Sequence, residues 1–442
     1  MPAYSPPSQL AMRNPFLPDP VNQSPPSPPP RPRSPTRSLR EFTSDLLKAG
    51  KPWATLSLLG DAEHSKTVPV YAEGSPVTGE VRLDLESGDA IHAVLLSLRG
   101  QIITGATPSE MVTFVDLPVT LWSRSMGDPR NPGSGGKWSQ KLKGKYVWPF
   151  SITLPPTVTL SAAVGRTEEE FRLPQTFFER HTRGQIEYEL AVRFTRAKLR
   201  SDHRLSSPIN YMPVSRPGPP SRLRQLAYQQ HTALLGPDSD PEGWQTFPSV
   251  TARGKLSSAS RTVEAKCRLS LATPLCYTRG TSIPCVLVIE CNDPQALTLL
   301  ASPESAVLRL RRSVRFHSGE KTVAHQGDII TKLVWKEELD HSELASWWPA
   351  ADRALETDST DALAIQAYRR MLKGEIHLRA DLMPSCAIAH FRIEYSVVLF
   401  PFDAPGYESL DHEPLFIEPV EIASDLAHGP APLQYSSPLI SI

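Results

Sequence analysis

Neither charge is in surplus: Lys+Arg and Asp+Glu are both 47 in 442 residues, a net charge of zero. That excludes the broad basic field on which general nucleic-acid binding depends. Long hydrophobic runs are also missing. The longest apolar stretch, around "YSVVLFPF", is far too short to span a bilayer. The opening "MPAYSPPSQLAMRNP" has no basic segment followed by an apolar one, so it does not read as a secretion signal. Cysteine is scarce. Cys267, Cys276, Cys285, Cys291 and Cys386 lie in strand-like text of the second half, and no two have CxxC spacing. The odd number and the placement predict reduced, buried thiols of a cytosolic protein, in preference to a disulfide framework or a zinc site. Glycine, at 24, is outnumbered by proline, at 45. That balance marks turns, strand edges and extended tracts and speaks against long helices.

Catalytic signatures are absent as well. There is no HExxH, GxSxG or GxGxxG. "NPGSGGKW" (Asn131 to Trp138) has only a superficial likeness to a phosphate loop. Asn131 stands where the first Gly belongs, and Trp138 replaces the Ser/Thr that holds magnesium, so it reads as a hairpin tip. The histidines in "DHSEL" and "DHEP" lack metal-ligand spacing. The expectation is a protein that is not an enzyme and has no cofactor and no metal.

What is present is alternation. "TGEVRLDLE" places Val81, Leu83 and Leu85 on one face; "YVWPFSITLP" does so with Trp148, Phe150, Ile152 and Leu154. "QIEYELAVRF" aligns Ile186, Tyr188, Leu190, Val192 and Phe194. "GEIHLRADL" aligns Ile376, Leu378, Ala380 and Leu382, and "HFRIEYSVVLF" aligns Phe391, Ile393, Tyr395, Val397 and Leu399. Period-two patterns predict half-buried antiparallel strands. One segment, "DALAIQAYRRML" (Asp361 to Leu372), predicts a short helix capped by Ser359, Thr360 or Asp361.

The text divides into a disordered Pro/Ser/Arg-rich tail (1–48), a β domain (49–215), a Pro/Gly-rich connector (216–260), a second β domain (261–424) with an insertion at 317–372, and a tail (425–442). The two β domains echo each other. "YAEGS" (Tyr71 to Ser75) is answered by "YTRGTS" (Tyr277 to Ser282), Ile-Glu-Tyr recurs at 186–188 and 393–395, and "SPINYMPV" (Ser207 to Val214) is answered by "EPLFIEPV" (Glu413 to Val420). A near-constant offset of roughly 206 residues favours duplication. Each half then holds seven or more short strands, which predicts two tandem immunoglobulin-like antiparallel β-sandwiches. Tyr188 and Tyr395 are read as core residues whose hydroxyls find backbone partners.

The ordered set "YAEGSPVTGEVRLDL", "HAVLLSLRG", "WPFSITLP", "LPQTFFERHTRGQIEYELAVRF" and "SPINYMPV" resembles an arrestin amino-terminal domain. "LCYTRGTSIPCVLVIE", "VLRLRRSVRF", "GEIHLRADLMPS", "FRIEYSVVLF" and "EPLFIEPV" resemble the carboxy-terminal one. The likeness is closest to the α-arrestin branch, fungal type. It implies an all-β arrestin fold and a non-enzymatic adaptor that binds membrane cargo tails and links them to ubiquitination or endocytic machinery. It further implies a cytoplasmic monomer that reaches the plasma membrane or endosomes through partners. Many α-arrestins recruit a ubiquitin ligase through PPxY. This chain has none, and "APGY" (Ala404 to Tyr407) has a single proline. The alternative is a retromer-like or other double-sandwich sorting scaffold without a ligase link.

Four candidate features stand out. In "VLRLRRSVRF", Arg309, Arg311 and Arg315 share a strand face opposite Leu308, Leu310, Val314 and Phe316, which Arg312 joins. Such a row either grips acidic or phosphorylated cargo segments or is a solvated, cross-strand-paired sheet face. Pro26, Pro29 and Arg31 have the PxxPxR spacing that suits SH3-domain partners. Ser24, Ser27 and Ser34 each precede proline and are candidate phosphosites beside Arg31, Arg33 and Arg37. Adjacent Trp347 and Trp348 face opposite ways on a strand, which either exposes one as a contact or lets both pack under the insertion or against the sandwich.

Overall fold

Alternating side chains commit the chain to layers, since each strand has one face that must leave water. A computed structural model describes residues 39–61, 65–131, 136–161, 168–196, 200–257, 261–325, 328–350 and 368–436. The first half carries β1 (Leu39–Lys48), β2 (Lys51–Asp61), β3 (Val70–Ala72), β4 (Val77–Asp89), β5 (Ile91–Ile103), β6 (Met111–Ser123), β7 (Leu142–Ile152), β8 (Thr157–Ser161), β9 (Glu168–Arg172), β10 (Gln185–Arg196) and β11 (His203–Met212). The second carries α1 (Arg222–Gln230), β12 (Trp244–Thr246), β13 (Val250–Leu256), β14 (Arg261–Ala272), β15 (Cys276–Thr278), β16 (Ser282–Glu290), α2 (Pro294–Leu300), β17 (Leu308–His325), β18 (Asp328–Pro349), β19 (Arg369–His377), β20 (Cys386–Ile388), β21 (Phe391–Leu399), β22 (Tyr407–Ser409) and β23 (Phe416–Ala423).

In the first sandwich a sheet ordered β1-β2-β4-β7 packs on one ordered β3-β11-β10-β5-β6. Trp53 of β2 meets Phe194 of β10 across the gap, ring centroids 5.3 Å apart. The inward sets are buried as the alternation requires, among them Val81, Leu83, Leu85, Ile186, Tyr188, Leu190, Val192 and Phe194. Each such Leu, Ile or Phe contributes about 1.5–3 kcal/mol before chain entropy is subtracted.

The second sandwich repeats both orders, as β13-β14-β16-β19 and β15-β23-β21-β17-β18. Matching positions do matching work. β3 pairs in parallel with β11, and β15 with β23. Gly74 and Gly280 follow β3 and β15 at φ +77° and +79°. That left-handed turn is the conformation that only glycine adopts without a Cβ penalty. Tyr188 Oη donates to Pro174 O and Tyr395 Oη to Met383 O, both at 2.7 Å. The echo in the sequence is therefore a duplication of a fold.

One departure separates the halves. β18 pairs with β17 along most of its length and then, from Ala345 to Pro349, with β19. It thereby passes from one layer of the second sandwich to the other. In the first sandwich the equivalent strands, β6 and β7, belong to separate sheets.

Several expectations need correction. Residues 39–48, assigned to the tail, form β1, which pairs with β2 from Leu39↔Asp61 to Lys48↔Lys51. The connector 216–260 is largely ordered on the second sandwich: it holds α1, β12 and β13, and β13 pairs with β14. Of the helix expected at 361–372, residues 361–367 lie outside the described residues. Arg369–Leu372 belong to β19, held by pairing with Leu287–Glu290 of β16. The helices found are α1 and α2 instead. Ser221 caps α1 by accepting from Arg224 N, and Asp293 caps α2 by accepting from Gln295 N and Ala296 N. Ala380 is exposed because β19 has already ended at His377. Residues 425–436 of the expected carboxyl-terminal tail run back over the second sandwich, with Tyr435 and Ser436 bonded to Glu375.

Candidate binding surface

β17 sets Leu308, Leu310, Val314 and Phe316 in the core and turns Arg309, Arg311 and Arg315 outward, as the alternation predicts. The three do not form an open row of charges. Arg311 Nε donates to Ser396 Oγ of β21 at 3.1 Å. Arg315 lies 3.6 Å from a Glu394 oxygen, and its guanidinium sits 5.8 Å from the centroid of the Trp335 ring. Arg392 approaches the same ring at 5.8 Å and the same carboxylate at 3.7 Å. Arg309 is half-buried and likewise engaged.

Arg311 faces a cleft of about 640 Å³ whose lining also includes Arg172, Arg216, Ser313, Glu337, Glu394 and Glu421. Arg172 comes from β9 in the first sandwich and Arg216 from the start of the connector, so the cleft lies where the two halves meet. Its cations are held by the protein's own acceptors. Arg172 Nη2 binds Glu73 and donates to Val214 O at 2.8 Å, while Arg216 pairs with Asp425. Ser313 Oγ donates to Glu337 at 2.5 Å. An entering carboxylate would compete with Glu73 for Arg172, with Asp425 for Arg216 and with the Ser396 hydroxyl for Arg311. Cys276 and Cys386 also line the cleft. Burial pushes their thiols up to about 11 and about 12, so both are neutral at physiological pH.

Arg312 points the other way and bridges the halves. Its two terminal nitrogens donate to the two Glu179 oxygens at 2.6 and 2.9 Å. Around this fork Phe177 meets Phe391 at 5.1 Å, and Gln175 Nε2 donates to Pro384 O at 2.7 Å. Ser215 N donates to Ser424 Oγ at 2.8 Å and Ser424 N returns a bond to Ser215 Oγ at 2.9 Å. Gly184 leaves room for Phe316 and Phe391, whose ring atoms would stand 2.9–3.0 Å from a Cβ there.

Sequence reasoning found Arg309, Arg311 and Arg315 but missed Arg172 and Arg216 as lining the cleft with Arg311, and missed Arg312 and Glu179 as a bridge between the halves. They come from four separate segments, and no local pattern announces that they converge. Pro26, Pro29 and Arg31, and Ser24, Ser27 and Ser34, lie outside the described residues, as do residues 132–135 of the glycine-rich tip. Trp347 is buried with its Nε1 donating to Ala306 O at 2.9 Å, while Trp348 lies half-buried on the opposite face. Among the described residues no group of three or more His, Cys, Asp or Glu could hold a metal, and no helix is long and apolar enough to cross a membrane.

The strand order, the left-handed glycine turn and the buried tyrosine can now be set beside known proteins. Residues 61–210 match the family model described as Arrestin (or S-antigen), N-terminal domain. The first sandwich is arrestin-like. The match runs from the end of β2 to β11 and takes in the strands that carry the tyrosine and glycine landmarks. No curated protein shows a significant match to the chain. The arrestin-like first sandwich presents Arg172 and Glu179 to the second, whose strands repeat its order.

Proposed function

We propose that the protein is a non-enzymatic arrestin-type adaptor of the α-arrestin branch, fungal type. It binds acidic or phosphorylated tails of membrane cargo and links them to ubiquitination or endocytic machinery. The observation that supports this reading most is the arrestin-type first sandwich meeting a second of the same strand order across a cleft bearing Arg172, Arg216 and Arg311. Arg309 and Arg315 lie on the same outward face of β17, with Arg315 beside Glu394. Adaptors need rigid frames with exchangeable polar contacts, and paired guanidiniums at a junction of two sandwiches provide them. The protein acts as a cytoplasmic monomer that visits the plasma membrane or endosomes through partners, including SH3-domain proteins at Pro26, Pro29 and Arg31.

The missing PPxY favours a second reading, a double-sandwich sorting scaffold without a ligase link. Proximity labelling separates the two. Ligase subunits and plasma-membrane transporters among the labelled proteins support the adaptor; coat or cytoskeletal proteins alone support the scaffold. Charge reversal of Arg309, Arg311 and Arg315 to Glu is expected to weaken cargo-tail binding and sorting, and unchanged sorting would remove these residues from the surface.

A further inference from the structure

The described carboxyl-terminal segment ends on a buried carboxylate. Glu375 of β19 is 1% exposed. A carboxylate only accepts hydrogen bonds, so burying it is costly unless donors surround it. The sandwich itself supplies few. Ser282 Oγ of β16 donates to Oε2 at 3.1 Å, and His377 Nε2 lies 3.3 Å from Oε1. The remaining donors arrive from the end of the chain. Tyr435 N reaches both oxygens, at 3.0 and 3.2 Å. Ser436 N and Ser436 Oγ donate to Oε1 at 2.6 and 2.7 Å. His377 Nε2 lies 2.9 Å from Ser436 Oγ, and Tyr435 Oη donates to Thr232 O at 2.9 Å. Beside the tyrosine ring opens a groove of about 370 Å³, lined by Leu234, Trp244, Pro284, Trp348 and Lys373.

The geometry reads an incoming segment through two successive backbone N–H groups, one hydroxyl and one aromatic ring. None of these contacts depends on the segment being covalently part of the same chain. Attachment only raises its local concentration, to the millimolar range for a short linker. We propose that Glu375, Ser282 and His377 form a docking site for an extended Tyr-Ser segment of another polypeptide, filled in this chain by Tyr435 and Ser436. The site lies on the second sandwich and does not involve Arg309, Arg311 or Arg315.

The test uses the full-length protein and a labelled peptide of residues 432–442. In the double variant Tyr435→Ala, Ser436→Pro the chain's own segment loses its ring, one N–H and its hydroxyl, and leaves the site free. Fluorescence anisotropy is expected to show the peptide binding this variant at least about tenfold more tightly than it binds the wild-type chain, where the attached segment competes. A peptide carrying Ser436→Pro is expected not to bind. Failure of the peptide to bind the double variant, equal binding to both chains, or undiminished binding of the proline peptide would each overturn the proposal. Hydrogen exchange on the wild-type chain gives an independent reading. Slow exchange at the Tyr435 and Ser436 amides supports the seating on Glu375, and fast exchange refutes it.

Discussion

Removing one oxygen atom from each half tests the duplicated architecture at its centre. Tyr188 and Tyr395 are 1% and 3% exposed, and each hydroxyl donates at 2.7 Å to a carbonyl that precedes its own strand. Tyr188→Phe keeps the ring and its contact with Phe114, whose centroid is 5.4 Å away, but leaves Pro174 O without this donor. A buried acceptor stripped of its partner costs about 1–3 kcal/mol, beyond which little is lost because ring packing survives. Tyr395→Phe is expected to cost a similar amount through Met383 O. At about 2–4 °C per kcal/mol for domains of this size, each substitution shifts its own sandwich's melting by several degrees. Because two sandwiches need not unfold in a single step, calorimetry is paired with hydrogen exchange resolved along the chain. Faster exchange is expected in β10 and β11 for the first variant and in β21 and β23 for the second. A loss below about 0.3 kcal/mol at either site, or loosening only in the other half, would refute the equivalence of the two tyrosines.

Three further outcomes follow from the same structure. A double-mutant cycle on Arg312→Ala and Glu179→Ala is expected to give a coupling of roughly 0.5–2 kcal/mol in thermal or denaturant unfolding, since the fork is bidentate and largely shielded; additive single effects would show that the halves do not depend on it. Stability is expected to fall as pH rises above 9. Burial lifts Cys276 to about 11 and Cys267 and Cys386 to about 12 from an ordinary 9.0, so the unfolded chain gives up these protons first and the folded state's advantage, complete below pH 9, is lost between 9 and about 12; a flat melting temperature from about pH 8 to about pH 10.5 would contradict this. Arg31→Ala is expected to abolish capture by SH3 domains in pull-downs, and retention of capture would remove Pro26, Pro29 and Arg31 as a docking motif.

Much of the fold was legible because alternation is a direct image of a layered core. The inward sets of β4, β7, β10 and β21 follow from the sequence residue by residue. The segments misjudged have physical reasons. β1 and β13 are equivalent strands beside the first and second sandwiches' β2 and β14, and β1 buries Phe42 and Leu46 only in part, so its text alternates weakly. Proline-rich neighbours then made it look like tail. Arg369–Leu372 read as helix because Tyr368 and Leu372 share a helical face, but pairing with β16 overrode that local preference. The candidate surface was legible only in part. Parity along β17 gave Arg309, Arg311 and Arg315, whereas the convergence of Arg172, Arg216 and Glu179 depends on how two sandwiches dock. The docking of Tyr435 and Ser436 on Glu375 was invisible for the same reason, being a contact between segments some sixty positions apart with no shared periodicity.

β18 gives the otherwise twin halves different mechanical characters. Since its backbone is stitched first into one layer and then into the next, those layers share a seam and cannot be prised apart there without tearing a continuous ladder of hydrogen bonds. Among the described residues the leading half has no such stitch, since β6 and β7 belong to separate sheets. Layer separation at this margin is therefore expected to cost more in the second half, which receives Arg172 and Glu179 from the first, and hydrogen exchange slower in β18 than in β6 is the corresponding outcome.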